Sequence, residues 1–398
     1  MFKNGISIGG YGTFLMDILL ILILIIGCYM VQRKSLISGE YFVNGKLNEH
    51  YFDILFGVHL FFTLVYLLYA YATRSDSGEY YRITVQTKTW GELFQTGTFF
   101  IRFLCYPLSN ILGLSYNSVM FIFAFLGFEG ILLFYLAARE NINKIAIVFG
   151  GMTLLEILFL LPNCHFWSAS LGKGSVMIFA IGLTFYGLSR FNSRLPYLMI
   201  GAFLVYMVRS HMLFAIVVGL ALGLFFSQSG IKWYVRYTLL SISFLAVFIL
   251  SDNVLENTGT ESLNIFDSKK IETRAKELGK GNSGFDIANY NQGFKLFTFL
   301  FRPLLIDAPG IMGIISSFEN IFLLFLAFRF LIHFIPFWTR STGLHKSAFF
   351  IFLLAAITLA QVSGNLGIAI RQKSQIFPLL FLIYAFSHSL LTDKTIHP

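Results

Sequence analysis

Apolar runs of about 20 residues recur along the whole 398-residue chain, and this recurrence is the feature that most limits what it can fold into. A helix needs roughly 17 to 25 mostly apolar residues to cross the hydrocarbon core of a bilayer. Only 12% of the residues are charged and 56% are hydrophobic, whereas an ordinary soluble domain has roughly 25% charged residues. These few charges cannot cover a soluble protein of this size. The sequence therefore excludes a soluble enzyme and predicts that lipid contacts most of the surface.

Membrane-spanning segments must satisfy their own backbone hydrogen bonds, and barrel strands would alternate in segments of about 10 residues. The sequence therefore predicts an all-α polytopic integral membrane protein, with residues 1–398 in a single transmembrane domain. We expect about eleven spans, two of them short and joined by a tight turn within 195–226. The other nine cover 13–32, 51–72, 116–138, 145–161, about 174–189, 237–251, about 311–334, 347–363 and 376–391. No small-residue cleavage site follows the first span, which is expected to remain as an anchor.

The segment from Thr96 to Leu114 is predicted to be a helix that lies in the membrane interface, because Arg102 and Pro107 interrupt its apolar run. The one long polar insert, residues 252–294, is predicted to be an extracytoplasmic loop.

Basic residues in short loops mark the cytoplasmic side of a membrane protein. Counting the predicted spans places one group of basic residues together, in loops that carry few acids. This group comprises Arg33, Lys34, Lys46, Arg139, Lys144, Arg190, Arg194, Lys232, Arg236, Arg340 and Lys346. Their side of the membrane is predicted to be cytoplasmic.

The formal charge of +9 is spread singly between apolar runs and does not form a stripe, so nucleic acid is not an expected partner. Anionic headgroups or a phosphate-bearing lipid are expected instead. Cys28, Cys105 and Cys164 have no metal-binding spacing and are predicted to be free buried thiols, with a disulfide between Cys105 and Cys164 as the alternative. No metal or other cofactor is predicted.

An acidic stretch begins where the second predicted span ends, and it contains Arg74, Asp76, Glu79, Tyr80 and Arg82. A carboxylate held beside arginine stays ionised and can accept a proton from a sugar hydroxyl. Asp76 is therefore the candidate general base, Glu79 assists it, the two arginines bind lipid phosphate, and Tyr80 contacts sugar. The alternative is a helix N-terminus in which Ser75 or Asp76 and Glu79 form a capping box.

Two further outward segments carry candidate phosphate ligands. His165 and Lys173 lie in a Gly-rich connection where Trp167 is a candidate sugar contact, although a structural loop explains these residues equally well. Arg209 and His211 interrupt a long apolar run, and a charge near the hydrocarbon needs a partner, a cavity or a lipid phosphate. The alternative for Arg209 is an arginine that extends to the headgroups from a hairpin tip.

The last outward loop adds Arg371 and Lys373, which diverge on a helix, so that only one can face a shared site. Arg371 is favoured for phosphate, with Gln372 as a sugar contact. Arg302 is a further phosphate candidate. Asp307 lies near it in sequence. Glu319 and Asn320 lie inside the following span, where a hydrogen bond between packed helices explains them as well as a site does.

This arrangement resembles the lipid-linked-sugar enzymes of bacterial envelopes, namely O-antigen or exopolysaccharide polymerases and, beyond them, GT-C glycosyltransferases. The resemblance is a pattern over most of the chain with short motifs. It implies that Asp76, with Glu79 second, corresponds to the GT-C base, and that Arg209 and Arg371 correspond to arginines that hold the lipid diphosphate. In this chain the acidic loop follows the second predicted span, whereas the GT-C pattern has it after the first.

The resemblance implies a polyprenyl-linked sugar or oligosaccharide as substrate and a bacterial inner-membrane location with the active site facing the periplasm or exterior. Asp76, Arg209 and Arg371 are expected to approach one outward cavity. The 252–294 loop is expected to close over the substrate. It has one plausible helix around Lys269–Leu278, and its sugar contacts would be Phe285, Asn289 and Tyr290.

Two other functions remain open. A flippase or transporter of lipid-linked oligosaccharides would carry charges at the bilayer midplane, internal repeats and helices broken at matching positions. A membrane acyltransferase would need a reactive histidine, for which His165 and His211 are the candidates.

Overall fold

The computed structural model describes residues 11–42, 44–45, 47–73, 75–142, 146–227 and 290–392, together with scattered positions between 232 and 245. The chain divides into two compact units, Met1–Asn141 with Cys164–Arg209 and Ile142–Asn163 with Ser210–Pro398. Within the described residues, six helices are long and apolar enough to cross a membrane, or up to eight segments if each of two bent helix pairs is one span. This is an almost entirely helical, multi-pass architecture, and the predicted count of eleven spans is not confirmed.

The elements follow one another along the chain with few strands. In order they are α1 (Tyr11–Ser38), α2 (Glu49–Ala72), α3 (Asp76–Gln86), α4 (Thr98–Tyr106), α5 (Tyr116–Glu140), β1 (Ile147–Phe149), β2 (Met152–Thr153), α6 (Leu154–Phe159), α7 (Pro162–Ser168), α8 (Lys173–Ser189), α9 (Phe191–Phe225), α10 (Gln292–Phe301), α11 (Gly310–Ile332), α12 (Phe334–Arg340), α13 (Gly343–Val362), α14 (Leu366–Lys373) and α15 (Phe377–Thr392). Short helical turns lie at Gly91–Leu93, Pro107–Ile111 and Leu305–Asp307.

Helix α5 forms the centre of the first unit, because 78% of its most apolar window is buried, whereas none of the corresponding window of α1 is. Glycines allow α8 to pack directly against α5. A Cβ atom built on Gly130 would lie 2.5 Å from the backbone of Ile178, and one built on Gly182 would lie 2.3 Å from the carbonyl oxygen of Gly130. Small residues at such contacts let two membrane helices approach through their backbones.

Helix α15 has the same central position in the second unit, where it packs against α6, α11 and α13. The rings of Phe159 and Phe381 lie 5.4 Å apart, and those of Phe330 and Tyr384 lie 6.1 Å apart. The second half of α9 packs on α13 through Gly223, whose Cβ atom would lie 2.3 Å from the Ser347 nitrogen.

The predicted span over 145–161 is wrong. Its first part is a β-hairpin in which β1 pairs with β2 across Gly150 and Gly151, and both glycines have positive φ angles of 57° and 80°. Two such residues form the tight turn that joins antiparallel strands. Thr153 and Glu156 then form a capping box, and the helix that follows ends at Phe159. The Gly-Gly turn interrupts the apolar run, and the helix that remains, Leu154–Phe159, is too short to cross the bilayer.

The predicted interruption of the 195–226 run is present at Arg209, whose backbone angles of φ −150° and ψ 83° are not helical. Two helical stretches meet at this kink, and the tight turn between two short spans stays a prediction. The predicted spans 174–189 and 376–391 are the longer members of the two bent pairs, α7 with α8 at 113° and α14 with α15 at 59°.

The 96–114 segment is helical, and Pro107 begins a π-helical turn within it. The predicted span 237–251 and residues 252–289 of the predicted loop lie largely or wholly outside the described residues.

Loops predicted to share the cytoplasmic side lie together within the first unit. The Arg139 side chain donates a hydrogen bond to the carbonyl oxygen of Gly45 at 3.2 Å. Arg194 forms a bidentate ion pair with Glu140, at 2.8 and 3.0 Å, and also donates to the Tyr41 hydroxyl at 3.1 Å. These contacts bring the connections after α1, α5 and α8 to one end of the unit.

The second unit shows the same grouping. Lys346 Nζ donates to the carbonyl oxygen of Phe226 at 2.9 Å, and Arg236 donates to that of Phe225 at 3.2 Å. The segments that follow α9 and precede α13 are therefore neighbours.

Candidate functional site

Helix α3 presents the acidic stretch at its first turn. Ser75 is the N-cap residue, but its side chain does not cap the backbone, so the predicted capping box is not formed. The Ser75 hydroxyl instead contacts that of Ser77, which contacts the Tyr116 hydroxyl, each at 2.8 Å. This leaves Asp76 and Glu79 exposed at the helix N-terminus, where the helix dipole favours negative charge.

The exposed face of α3 also includes Arg82, three residues after Glu79, so the three charges lie along one side of the helix. Tyr80 faces the other way and is only 8% exposed. The prediction that Tyr80 contacts sugar is therefore not supported, because the ring offers almost no surface. Arg74 lies outside the described residues.

Two of the predicted outward segments, those of Lys173 and Arg209, meet at the loop before α4. The Gly97 nitrogen donates a hydrogen bond to the Met207 carbonyl oxygen at 2.7 Å. A Cβ atom built on Gly97 would lie 3.8 Å from Lys173 Nζ, and Gly97 has a positive φ of 77°. Arg209, half-buried, follows Met207 by two residues. Lys173 and the non-helical position of α9 therefore belong to one neighbourhood of the first unit, which we call the Gly97 corner.

Within the first unit, the Gly97 corner and the basic loops lie at opposite ends of the first helical stretch of α9, because Arg194 and Arg209 are separated by about 22 Å of helix at 1.5 Å per residue. His211 is half-buried and belongs to the second unit.

Arg102 of α4 is a cationic residue that the sequence interpretation treated only as an interruption. Its guanidinium carbon lies 5.4 Å from the centre of the Phe99 ring. Its Nε atom is buried and has no hydrogen-bond partner in the described part of the chain. An arginine in an apolar interfacial segment was the only sequence signal for this position.

His165 does not have the position predicted for a phosphate ligand. It is 0% exposed, and its Nδ1 atom lies 3.1 Å from Nδ1 of His59, which in turn contacts the Ala124 carbonyl oxygen at 2.9 Å. A phosphate cannot reach a ring that has no exposed surface, so we leave His165 out of the site. Trp167 is half-buried and packs on Phe166, with ring centres 5.0 Å apart.

Lys373 also departs from its predicted role. It is 0% exposed, and Nζ donates to the carbonyl oxygens of Leu300 at 3.1 Å and Arg302 at 2.9 Å and to Asn320 Oδ1 at 2.8 Å. All three protons of the ammonium group are used in this way. Two of the acceptors are carbonyl groups at the end of α10, which the helix itself leaves unsatisfied. Lys373 therefore caps a helix and is not available to lipid phosphate.

A buried polar cluster surrounds this lysine within the second unit. Glu319 Oε2 accepts hydrogen bonds from the backbone and side-chain nitrogens of Asn163 at 3.1 and 3.0 Å. Its other oxygen is buried and has no hydrogen-bond partner among the described residues. The Asn320 amide donates to the Pro303 carbonyl oxygen at 2.8 Å. The two groups that the sequence kept apart, around residues 302–320 and 365–375, are thus one cluster.

The remaining predicted ligands of this unit lie at its edge. Arg302 is paired with Asp307, with Nε and Oδ2 2.5 Å apart. Arg371 is half-buried, on a different side of α14 from Lys373, as their spacing predicted. Gln372 Oε1 accepts a hydrogen bond from the Ser363 hydroxyl at 2.9 Å. Asp76 and Arg209 belong to the first unit and Arg371 to the second, so the expected common cavity stays a prediction.

Within the described residues, no group of three or more His, Cys, Asp and Glu side chains could hold a metal ion. The chain matches no protein-family model, no curated protein and no solved structure. The class of the protein, a multi-pass helical membrane protein, therefore rests on the helices themselves.

Proposed function

We propose that this protein transfers a sugar, or a block of sugars, from a polyprenyl diphosphate carrier in the assembly of a cell-envelope or extracellular polysaccharide. The observation that carries the proposal is the Gly97 corner, where Lys173 and the segment ending at Arg209 meet although 36 residues separate them in sequence. Arg and Lys bind phosphate oxygens strongly where water is scarce, and the planar guanidinium can do so through two hydrogen bonds.

In the proposed reaction the acceptor hydroxyl oxygen bonds to the anomeric carbon, and the bond from that carbon to the diphosphate oxygen breaks. The hydroxyl proton passes to the Asp76 carboxylate, and the charge on the departing diphosphate is balanced by Lys173 and Arg209. Asp76 suits this role because it is exposed at a helix N-terminus, in the same unit as the Gly97 corner. Glu79 and Arg82 on the same helix face would orient the acceptor.

A flippase for lipid-linked oligosaccharides is the second candidate, and two observations favour it. Two helix pairs are bent, by 113° over 162–189 and by 59° over 366–392, and broken helices are typical of transporter binding sites. Glu319 and Lys373 are also buried within segments apolar enough to span the membrane, where ionisable groups often mark a transport path. The acyltransferase alternative is weakened by the burial of His165 against His59.

The two candidates differ in where a lipid-linked intermediate accumulates when the gene is deleted. Loss of a transferase or polymerase should leave a single lipid-linked repeat unit on the outer leaflet, accessible to a glycosidase added to intact cells. Loss of a flippase should leave the same intermediate on the inner leaflet, where the glycosidase reaches it only after permeabilisation. Unmodified, full-length polymer with no accumulated intermediate would contradict both.

A further inference from the structure

A groove at the far end of α11 is separate from the sites described above. Its apolar wall includes Phe149 of β1, Ile157 of α6, and Phe322 and Phe325 of α11, and its volume is about 290 Å³. Phe149 is 75% exposed. The volume is close to the lower limit of typical ligand sites, roughly 300 Å³, and would hold part of a long apolar chain.

Two side chains that can donate hydrogen bonds, those of Arg329 and His388, line this groove. Arg329 lies in the last turn of α11 and His388 in α15, both half-buried and close enough to interact electrostatically. The described residues that line the groove include no acid. The Arg329 carbonyl oxygen is already bonded to His333, through the backbone nitrogen at 3.2 Å and Nδ1 at 2.8 Å. A guanidinium beside lipid-facing aromatic rings favours an anionic partner, because an unpaired charge in that environment is costly.

We propose that this groove binds an anionic phospholipid. The phosphate accepts hydrogen bonds from Arg329 and His388, and one acyl chain lies along Phe149, Ile157 and Phe325. Helix α11 ends three residues after Arg329 and leads into α12, which ends at Arg340, on the side predicted to be cytoplasmic. Basic pockets between membrane helices on that side are where anionic headgroups bind. The proposal is independent of the proposed sugar transfer.

The test is thermal unfolding of the full chain, purified in a neutral detergent, with phosphatidylglycerol or phosphatidylcholine added. Phosphatidylglycerol should raise the unfolding temperature by several degrees and phosphatidylcholine should not. Arg329→Gln should lose most of that rise, whereas Arg340→Gln, which changes an exposed arginine at the same end, should keep it. An equal rise in Arg329→Gln and wild type, or an equal effect of the two lipids, would overturn the proposal.

Three further comparisons separate the lipid from other occupants. Soluble glycerol phosphate at the same concentration should have no effect, because it lacks the apolar chain. Ile157→Trp, which fills the groove and leaves both nitrogen-bearing side chains, should reduce the rise caused by phosphatidylglycerol. If polyprenyl phosphate stabilises the protein more than phosphatidylglycerol does, the assignment to a phospholipid is wrong.

Should Arg329→Gln not fold, Arg329→Lys takes its place. This variant keeps the charge without the planar guanidinium, and phosphatidylglycerol should raise its unfolding temperature less than that of the wild type.

Discussion

At the scale of single residues, the Arg194 side chain has several partners in one buried cluster. Besides its two bonds to Glu140 and one to Tyr41, it donates to the Ser189 hydroxyl at 2.7 Å and lies 3.7 Å from the centre of the Tyr186 ring. Arg194→Ala leaves the buried Glu140 carboxylate without its main partner. We expect it to lower the free energy of unfolding by about 3–5 kcal/mol, measured by chemical unfolding in detergent.

Arg190 is the matched control for this prediction. It makes a single contact with Glu140 at 3.5 Å, and half of its side chain is exposed. Arg190→Ala should therefore change the stability by less than about 1 kcal/mol. Similar losses in the two variants would show that the bidentate geometry of Arg194 contributes little.

The cysteines give a second residue-scale prediction. All three are free thiols and the alternative disulfide is not formed; Cys105 and Cys164 are buried, as predicted, whereas Cys28 is half-buried. Burial raises the pKa of the Cys105 thiol to about 11, although its hydrogen bonds to Ser109 and Thr84 oppose this.

Because the thiolate is the reactive form, a charged maleimide at pH 8 should leave Cys105 unlabelled in the folded protein and label it after denaturation. Glu79→Cys, at an exposed position, should label without denaturation. Equal labelling of the two before denaturation would contradict the buried position.

At the scale of the elements, the contact between α5 and α8 depends on the absence of side chains at Gly130 and Gly182. Gly182→Ala places a Cβ atom against a backbone oxygen that cannot move aside, so we expect a loss of about 1–3 kcal/mol. Gly57→Ala in α2 has open space around the new methyl group. It should be neutral or stabilising by up to about 1 kcal/mol, because alanine is the better helix former. Thermal unfolding measures the change in stability of each variant. A change of the same sign in Gly182→Ala and Gly57→Ala would contradict the close approach of α8 to α5.

The sequence predicts the long helices well because a membrane span is a local property of length and hydropathy. It fails at 145–161, where two glycines turn an apolar run into a hairpin. It also fails for His165, because burial is not a local property: nothing near His165 in sequence indicates that His59, from another helix, would pack on it. For Lys373 the missing information is the end of α10, whose free carbonyl groups come from more than 70 residues away.

At the scale of the whole molecule, each unit has basic loops that contact one another, and their position on the cytoplasmic side stays a prediction. In the first unit the candidate phosphate-binding residues Lys173 and Arg209 lie at the other end of the first helical stretch of α9. Charge asymmetry along the sequence indicates this separation because short basic loops stay on one side of the membrane. The number of spans could not be derived in the same way, since it depends on where broken helices turn back.

The central claim is that Asp76 and Arg209 serve the same transfer of a lipid-linked sugar. The most direct measurement is the amount of lipid-linked single repeat unit in cells whose only copy of the protein carries Asp76→Asn or Arg209→Lys. Glu92→Gln and Arg340→Lys change exposed residues of the same types and serve as controls, with membrane abundance checked for all four. We predict that the repeat unit accumulates, and polymer falls at least tenfold, in the first two variants and in neither control. Wild-type polymer in Asp76→Asn and Arg209→Lys cells would contradict the account.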